Sequence, residues 1–395
     1  MVKFASSLQR HADIARSNGQ APVIFTCPTS NFYAPAGRRP LRCPTTNEPL
    51  EFGDLPPFDP ASIEPAAAGL WRYRAMLPVV GEERSLISLG EGWTPLIADT
   101  WRGRPLFWKM DAFMPTGSFM DRGVSVMINW LAGLPDVERL VEDSSGNAGA
   151  SLACYAARAR MEACIFVPDN IPELQKSQIS LYGADLVEVP GGRGQAAAAA
   201  YNATRYEPDT AYASHSWQPA WLLGQMTCAW ELWEQMGGET PDWVIAPTGH
   251  GGTLLGIWRG YQHLYSAGLI DRLPRLVAVQ SELYAPFYEA FHNGWDRCRP
   301  QSVYARTVAD SIAISDPVRD ATLLAALFRS RGTVVKVKDD ATIAARTRLA
   351  ERGIFVEPTS ATVLAALDQM DSILAPGDTI VAVLLGHGFR SLPVE

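Results

Sequence analysis

From residue 138 onward, short apolar runs alternate with amphipathic segments of helical length, and this alternation restricts the fold more than any other feature. "ERLVEDSS" reads as a strand ending in a polar turn, and "NAGASLACYAARAR" follows as a helix. "ACIFVP" and "DLVEVP" are further strands, followed by the helices "PELQKSQISLYG" and "GQAAAAAYNATRY" respectively. A second series begins after the long helix "PAWLLGQMTCAWELWEQMGG". In it, "DWVIAP" and "PRLVAVQS" flank the helix "GTLLGIWRGYQHLYSAG", "GTVVKVK" precedes helices at 339–352 and 359–373, and "DTIVAVLLG" closes the set. Strands alternating with helices of ten to fifteen residues indicate right-handed crossovers and a parallel sheet. A chain of 395 residues also exceeds what one core usually serves. The expected architecture is therefore α/β, with two doubly wound parallel-sheet domains and a cleft between them. Residues 1–115 plus 225–395 form the larger expected domain and 116–224 the smaller. No repeat of solenoid period and no low-complexity linker interrupts this pattern.

The net charge of −8 excludes nucleic acid as a main partner, since phosphate backbones demand a basic face. No apolar run approaches the roughly eighteen residues that a membrane span needs. The opening "MVKFASSLQRHADIARSNGQ" lacks a continuous apolar core of the secretory kind, so an ordinary surface helix is expected there. Six scattered cysteines (27, 43, 154, 164, 228, 298) form no dense framework and suit a reducing cytoplasm. Only five lysines occur, at 3, 109, 176, 336 and 338, so a reaction that needs an amine has few places to find one.

Three turns carry chemistry. "APTGHGGTLLG" places Gly249, His250, Gly251, Gly252 and Thr253 between a strand and a helix. Glycines admit an anion close to the backbone, and the helix start aims free N–H groups at it, which favours phosphate over an empty turn. "DSSGNAGAS" sets Ser144, Ser145, Gly146, Asn147 and Ala148 at another strand–helix junction, suited to a carboxylate. Plain capping would need only one of those residues. "MPTGSFMDRG" opens a third helix with Ser118, Met120, Asp121 and Arg122. On spacing alone, adjacent Asp121 and Arg122 read as a solvated pair. His215, His250 and His387 fall in separate loops with no metal-ligand spacing, so no metal site is expected.

Taken together, these stretches resemble threonine synthase, in the fold-type II group of pyridoxal-phosphate enzymes. The resemblance runs from "LWRYRAMLPV" at residue 70 to "LLGHGFRSL" near the end, through "LGEGWTPL", "PTGSFMDRG", "SSGNAGASLACYAARA", "SHSWQPA", "GHGGTLLG", "VADSIAISDPVR" and "VEPTSA" in order. It implies a fold-type II architecture and lyase or transferase chemistry of amino-acid metabolism. It also implies a cofactor phosphate on Gly249–Thr253, a cofactor hydroxyl beside Asn147, and a substrate carboxylate on the surrounding loop. Relatives of this kind are commonly homodimers.

The departures from that pattern gather on the cofactor ring. Met120 stands where the resemblance places the cofactor-tethering lysine, and a thioether forms no imine. Leu385, in "LLGHG", stands where a threonine or serine would face the pyridine nitrogen, and Met226 stands where a lysine often follows "SHSWQPA". Some relatives hold zinc with two CxxC pairs, whereas "CPTS" and "CPTT" keep only Cys27 and Cys43, so a metal-free hairpin is expected.

Three accounts compete: a natural enzyme working without the tether, an ordinary pyridoxal-phosphate enzyme captured as a Lys-to-Met variant, and a non-catalytic ligand-binding paralogue. Two changes on the ring side beside intact anion turns favour the first. It predicts a small phosphorylated or amino-acid-like anionic substrate and no covalently bound cofactor, with pyridoxal phosphate entering only as a non-covalent ligand or substrate adduct. Acid–base work then falls to His250 and His387, which titrate near neutrality, with Ser118, Asp121 and Ser144 next. Lys109 reads as structural.

Overall fold

A computed structural model of the chain describes residues 24–35, 40–79, 86–144, 146–169, 171, 173–302 and 305–391. The surface helix expected over the first twenty residues, and Ser145, lie outside them.

Strands β1 (Ile24–Thr26), β2 (Tyr33–Pro35) and β3 (Glu51–Phe52) form a small antiparallel sheet in the order β2-β1-β3. The two cysteine turns meet beside it. Cys27 Sγ lies 3.4 Å from Thr46 Oγ1, and Ser30 Oγ lies 3.3 Å from Cys43 Sγ, so each thiol pairs with the hydroxyl that ends the other turn. Phe25 and Phe52 pack on Trp130, with ring centroids 6.0 and 5.3 Å away. That contact ties the sheet to helix α1 (Met120–Ala132).

A six-stranded sheet carries the larger body, in the order β12-β11-β10-β13-β5-β4. Its members are β4 (Leu96–Trp101), β5 (Arg104–Lys109), β10 (Trp243–Pro247), β11 (Arg275–Ser281), β12 (Thr333–Val337) and β13 (Ile380–Val383). All its neighbours run parallel except β4 and β5, which pair antiparallel, so this sheet is mixed rather than purely parallel as expected. The reason is local. Arg102 and Gly103 both adopt positive φ, +47° and +80°, the backbone of a two-residue hairpin whose twist matches its strands.

The second sheet is all parallel, in the order β8-β7-β6-β9, from β6 (Arg139–Asp143), β7 (Glu162–Pro168), β8 (Asp185–Val189) and β9 (Thr210–Tyr212). Helices α2 (Asn147–Ala159), α3 (Glu173–Leu181) and α4 (Arg193–Thr204) follow its strands. Helices α5 (Pro219–Gln235), α6 (Gly252–Ser266), α7 (Pro286–His292), α8 (Asp320–Arg329), α9 (Asp339–Glu351) and α10 (Pro358–Gln369) complete the chain. One apolar cluster spans both sheets, from Leu140 and Ile165 of the smaller to Leu276 and Val381 of the larger.

A buried charge cluster locks α1 against α5 and β5. Arg122 Nη1 donates to Glu231 Oε1 at 2.6 Å, and its Nη2 donates to Asp111 Oδ1 at 2.7 Å. Lys109 Nζ donates to Glu231 Oε2 at 2.7 Å, to Gln235 Oε1 at 2.9 Å and to the Thr94 carbonyl at 2.9 Å. Asp121 and Arg122 are both 0 % exposed and do not face each other, which overturns the solvated-pair reading. Helical geometry sends successive side chains about 100° apart, so each finds its own partner. Asp121 accepts from Thr116 N and Oγ1 at 2.7 Å each and from Ser151 Oγ at 2.6 Å.

Candidate active site

Parallel strands present their carboxyl ends to one edge, and ligands of such sheets bind outside that edge. Here the turns after β6 and β10 open onto one cavity of about 1000 Å³. Ser144, Gly146, Asn147 and Ala148 line it from one side, and Gly249, His250, Gly251, Gly252 and Thr253 from the other. Phe119, Met120 and Leu385 also lie on its walls.

No side chain caps α6, so its first amides remain available to an anion. Gly251 has φ +91°, and a Cβ there would stand 2.9 Å from Leu323 Cδ2. A Cβ on Gly252 would stand 2.5 Å from Trp221. The turn therefore keeps its glycines partly for the protein's own packing.

Asn147 is held from two directions. Its Nδ2 donates to Glu357 Oε2 at 3.3 Å, and its Oδ1 accepts from Arg390 Nε. Arg390 also donates to the Thr116 carbonyl at 2.8 Å and to Gln178 Oε1 at 2.9 Å. These contacts fix the amide orientation that a ligand would meet.

Glu357 itself is buried, lines the cavity, and keeps Oε1 without a partner among the described residues. Burial pushes its carboxyl up to about 7, Asp310 adds to the rise, and Arg390 opposes it. The folded protein thus holds a proton that the unfolded chain has already released. Stability from this group is complete below about pH 4 and is lost as pH climbs through 7. The loss amounts to about 3 kcal/mol. Glu357→Gln is expected to flatten a urea-denaturation profile between about pH 4.5 and 7. What slope survives belongs to other shifted groups, among them Asp121 and Asp143, which burial raises to about 6, and Glu142, which burial raises well above the usual carboxyl range. An unaltered profile would show that Glu357 is not held in this protonated state.

The histidines divide. His215 and His250 line the cavity with ring centroids 5.8 Å apart. His250 Nδ1 accepts from Val318 N at 3.3 Å, so its proton sits on Nε2. Burial lowers His250 well below the usual histidine range, and His215, Arg193 and Arg319 lower it further. His215, with Nδ1 2.8 Å from Glu142 Oε1, is pushed by burial down to about 4. Titration near neutrality, the reason for selecting His250, therefore does not hold.

Three expected acid–base residues lie off the cavity wall. His387 packs among Phe113, Phe355 and Phe389. Asp121 is enclosed by Thr116 and Ser151, and Ser118 is fully buried with Oγ accepting from Met120 N at 3.3 Å. Asp121 and Ser118 are turned into the core, whereas His387 is half-buried beside the exposed rings of Phe113 and Phe389.

Sequence reasoning missed Glu357, Thr359, Arg193, Arg319 and Arg42, all on the wall. "VEPTSA" was visible as a junction, but an orphaned oxygen shows only in three dimensions. Arg42 belongs to the N-terminal segment. Its guanidinium stacks 3.8 Å from the Trp217 ring centroid and 4.9 Å from that of Tyr201. Among the described residues, no group of three or more metal-binding side chains converges, and no helix is long and apolar enough to cross a membrane.

The family description "Pyridoxal-phosphate dependent enzyme" matches residues 87–386, which contain both turns and Met120. The chain belongs to that family. Within it, the chain is 34 % identical to the threonine synthase of Methanocaldococcus jannaschii over 331 residues, covering 82 % of this chain and 80 % of that protein. It is 32 % identical to the threonine synthase of Synechocystis sp. over 349 residues, covering 85 % and 87 %. The crystal structure of a threonine deaminase from T.th. superposes with a TM-score of 0.64 at 26 % identity, over 76 % of this chain and 94 % of that one. Maize serine racemase gives a TM-score of 0.64 at 22 % identity over 75 % and 88 %, a likeness of fold. The protein is thus threonine synthase-like in a family of pyridoxal-phosphate-dependent enzymes.

The fit of the family's cofactor can be tested on these walls. The glycine turn at the uncapped start of α6 fits its phosphate, and the clamped Asn147 amide fits a ring hydroxyl. The tether does not fit. No lysine lies among the described wall residues. Lys109 is spent in the buried cluster, Lys176 pairs with Glu188 at 2.6 Å, and Lys336 pairs with Glu289 at 3.1 Å.

Proposed function

We propose that the protein is a diverged, threonine synthase-like enzyme that holds a small phosphorylated or amino-acid-like anion, with pyridoxal phosphate binding only non-covalently. The observation that carries this reading is a cavity with both anion turns formed and no lysine among its described walls. Leu385 weighs against the captured-variant account, because exchanging one lysine leaves the second change unexplained.

When bound, pyridoxal phosphate supplies an electron-withdrawing ring. The chain's own residues do the rest. The Gly249–Thr253 backbone orients a phosphate, and the α2 amino end with Ser144 orients a carboxylate. Glu357 holds or releases a proton at Oε1, and neutral His250 donates from Nε2. Phe119, Trp221 and Leu385 keep water from the reacting face.

Thermal-shift titration with inorganic phosphate, O-phosphohomoserine and pyridoxamine phosphate tests the reading. A true ligand at a hundred times its Kd is expected to add about 2.7 kcal/mol of stability. If none of the three raises Tm, the cavity is not an anion site and the proposal fails.

A further inference from the structure

Two adjacent hydroxyls at the start of α10 have different fates. Ser360 Oγ accepts from Leu385 N and Gly386 N, each at 2.9 Å, and faces the Gly386 carbonyl at 3.3 Å. It is committed to the backbone. Thr359 is 1 % exposed, lines the cavity, and its Oγ1 has no hydrogen-bond partner among the described residues. A buried hydroxyl without a partner is costly, so such an atom marks where a ligand completes the site. Leu385 lies on the same wall, and Ser360 joins its backbone to the residue next to Thr359. Leu385 offers only carbon there.

We propose that Thr359 is the hydrogen-bond partner of a ring nitrogen in a pyridoxal-type phosphate ligand, a hydroxyl supplied from the start of α10 where Leu385 has none. This rests on the non-covalent pyridoxal reading above. The ligand's phosphate sits on the Gly249–Thr253 turn, its ring lies along Met120 and Leu385, and Thr359 Oγ1 donates its proton to the unprotonated nitrogen. No bond is made or broken. Glu357, two residues earlier, has its carboxyl engaged by the Asn147 amide and serves a different edge of the ring.

The probe is pyridoxamine 5′-phosphate, which carries the ring nitrogen and phosphate but no aldehyde, so stray amines cannot capture it. Its 1-deaza analogue, with C–H in place of the nitrogen, is the control. Binding is followed by quenching of tryptophan fluorescence in the intact protein. Thr359→Val keeps the shape and is expected to weaken pyridoxamine phosphate about tenfold, the contribution of one buried neutral hydrogen bond. The same variant should bind the deaza compound unchanged, which also reports that it is folded. Adding Leu385→Ser to Thr359→Val should restore affinity for the nitrogen-bearing ring alone. Equal weakening of both compounds, or no weakening of either, overturns the assignment of Thr359 while leaving the proposed function standing. If the natural protein binds neither ring compound but responds to phosphate, the inference falls and the anion site remains.

Discussion

Met120→Lys, mixed with pyridoxal phosphate and reduced with borohydride, is expected to retain one cofactor equivalent through denaturation and to show it by mass on the peptide containing residue 120. Position 120 lies on the wall with Phe119, Asn147 and Leu385. An amine placed among apolar neighbours loses proton affinity, which raises the fraction able to attack an aldehyde. The unaltered protein, reduced the same way, is expected to release its ligand on denaturation. This is the largest change available from one residue, from dissociable to covalent. Covalent retention by the unaltered protein, or a failure of Met120→Lys to retain the label, would remove the premise that position 120 decides the tether.

Glu231→Ala is expected to cost about 3–5 kcal/mol in urea denaturation, because it strands the fully buried Lys109 and takes one carboxylate partner from the fully buried Arg122, which keeps Asp111. Glu231 is the carboxylate shared by Lys109 and Arg122, and those charges hold it down to about 2 against the opposing effect of burial. Glu231→Gln keeps the shape and removes the charge, so it should lose a comparable amount. Lys109→Met, which removes one cation and leaves Glu231 with Arg122, should cost less. A loss confined to Glu231→Ala would attribute the effect to a cavity rather than to charge.

Much of the frame was readable because periodicity reports burial directly. Each strand of "ACIFVP", "DWVIAP" and "PRLVAVQS" falls within a residue or two of its observed span. Strand β9 escaped notice because three residues, Thr210 to Tyr212, make no run and take their strand form from pairing with β6. The helix Asp320–Arg329 was likewise hidden, since its short apolar stretch follows directly on a turn and carries no side-chain cap to announce it. Both anion turns were legible, because glycine and hydroxyl residues at strand–helix junctions carry their chemistry in the backbone. Acid–base groups were not. Whether His387 meets the cavity or a cage of phenylalanines depends on side-chain direction, and whether Glu357 stays protonated depends on what covers it. Neither property is local in sequence.

The Arg42 stack makes the amino-terminal segment part of the cavity. The region that matches the family begins at residue 87, yet Arg42, well ahead of it, closes part of the cavity against Trp217. The amino-terminal segment thus supplies one panel of the binding chamber. A shortened chain beginning at residue 87 would lose that panel and also uncover the core that Phe25, Phe52, Leu70 and Trp71 help to fill.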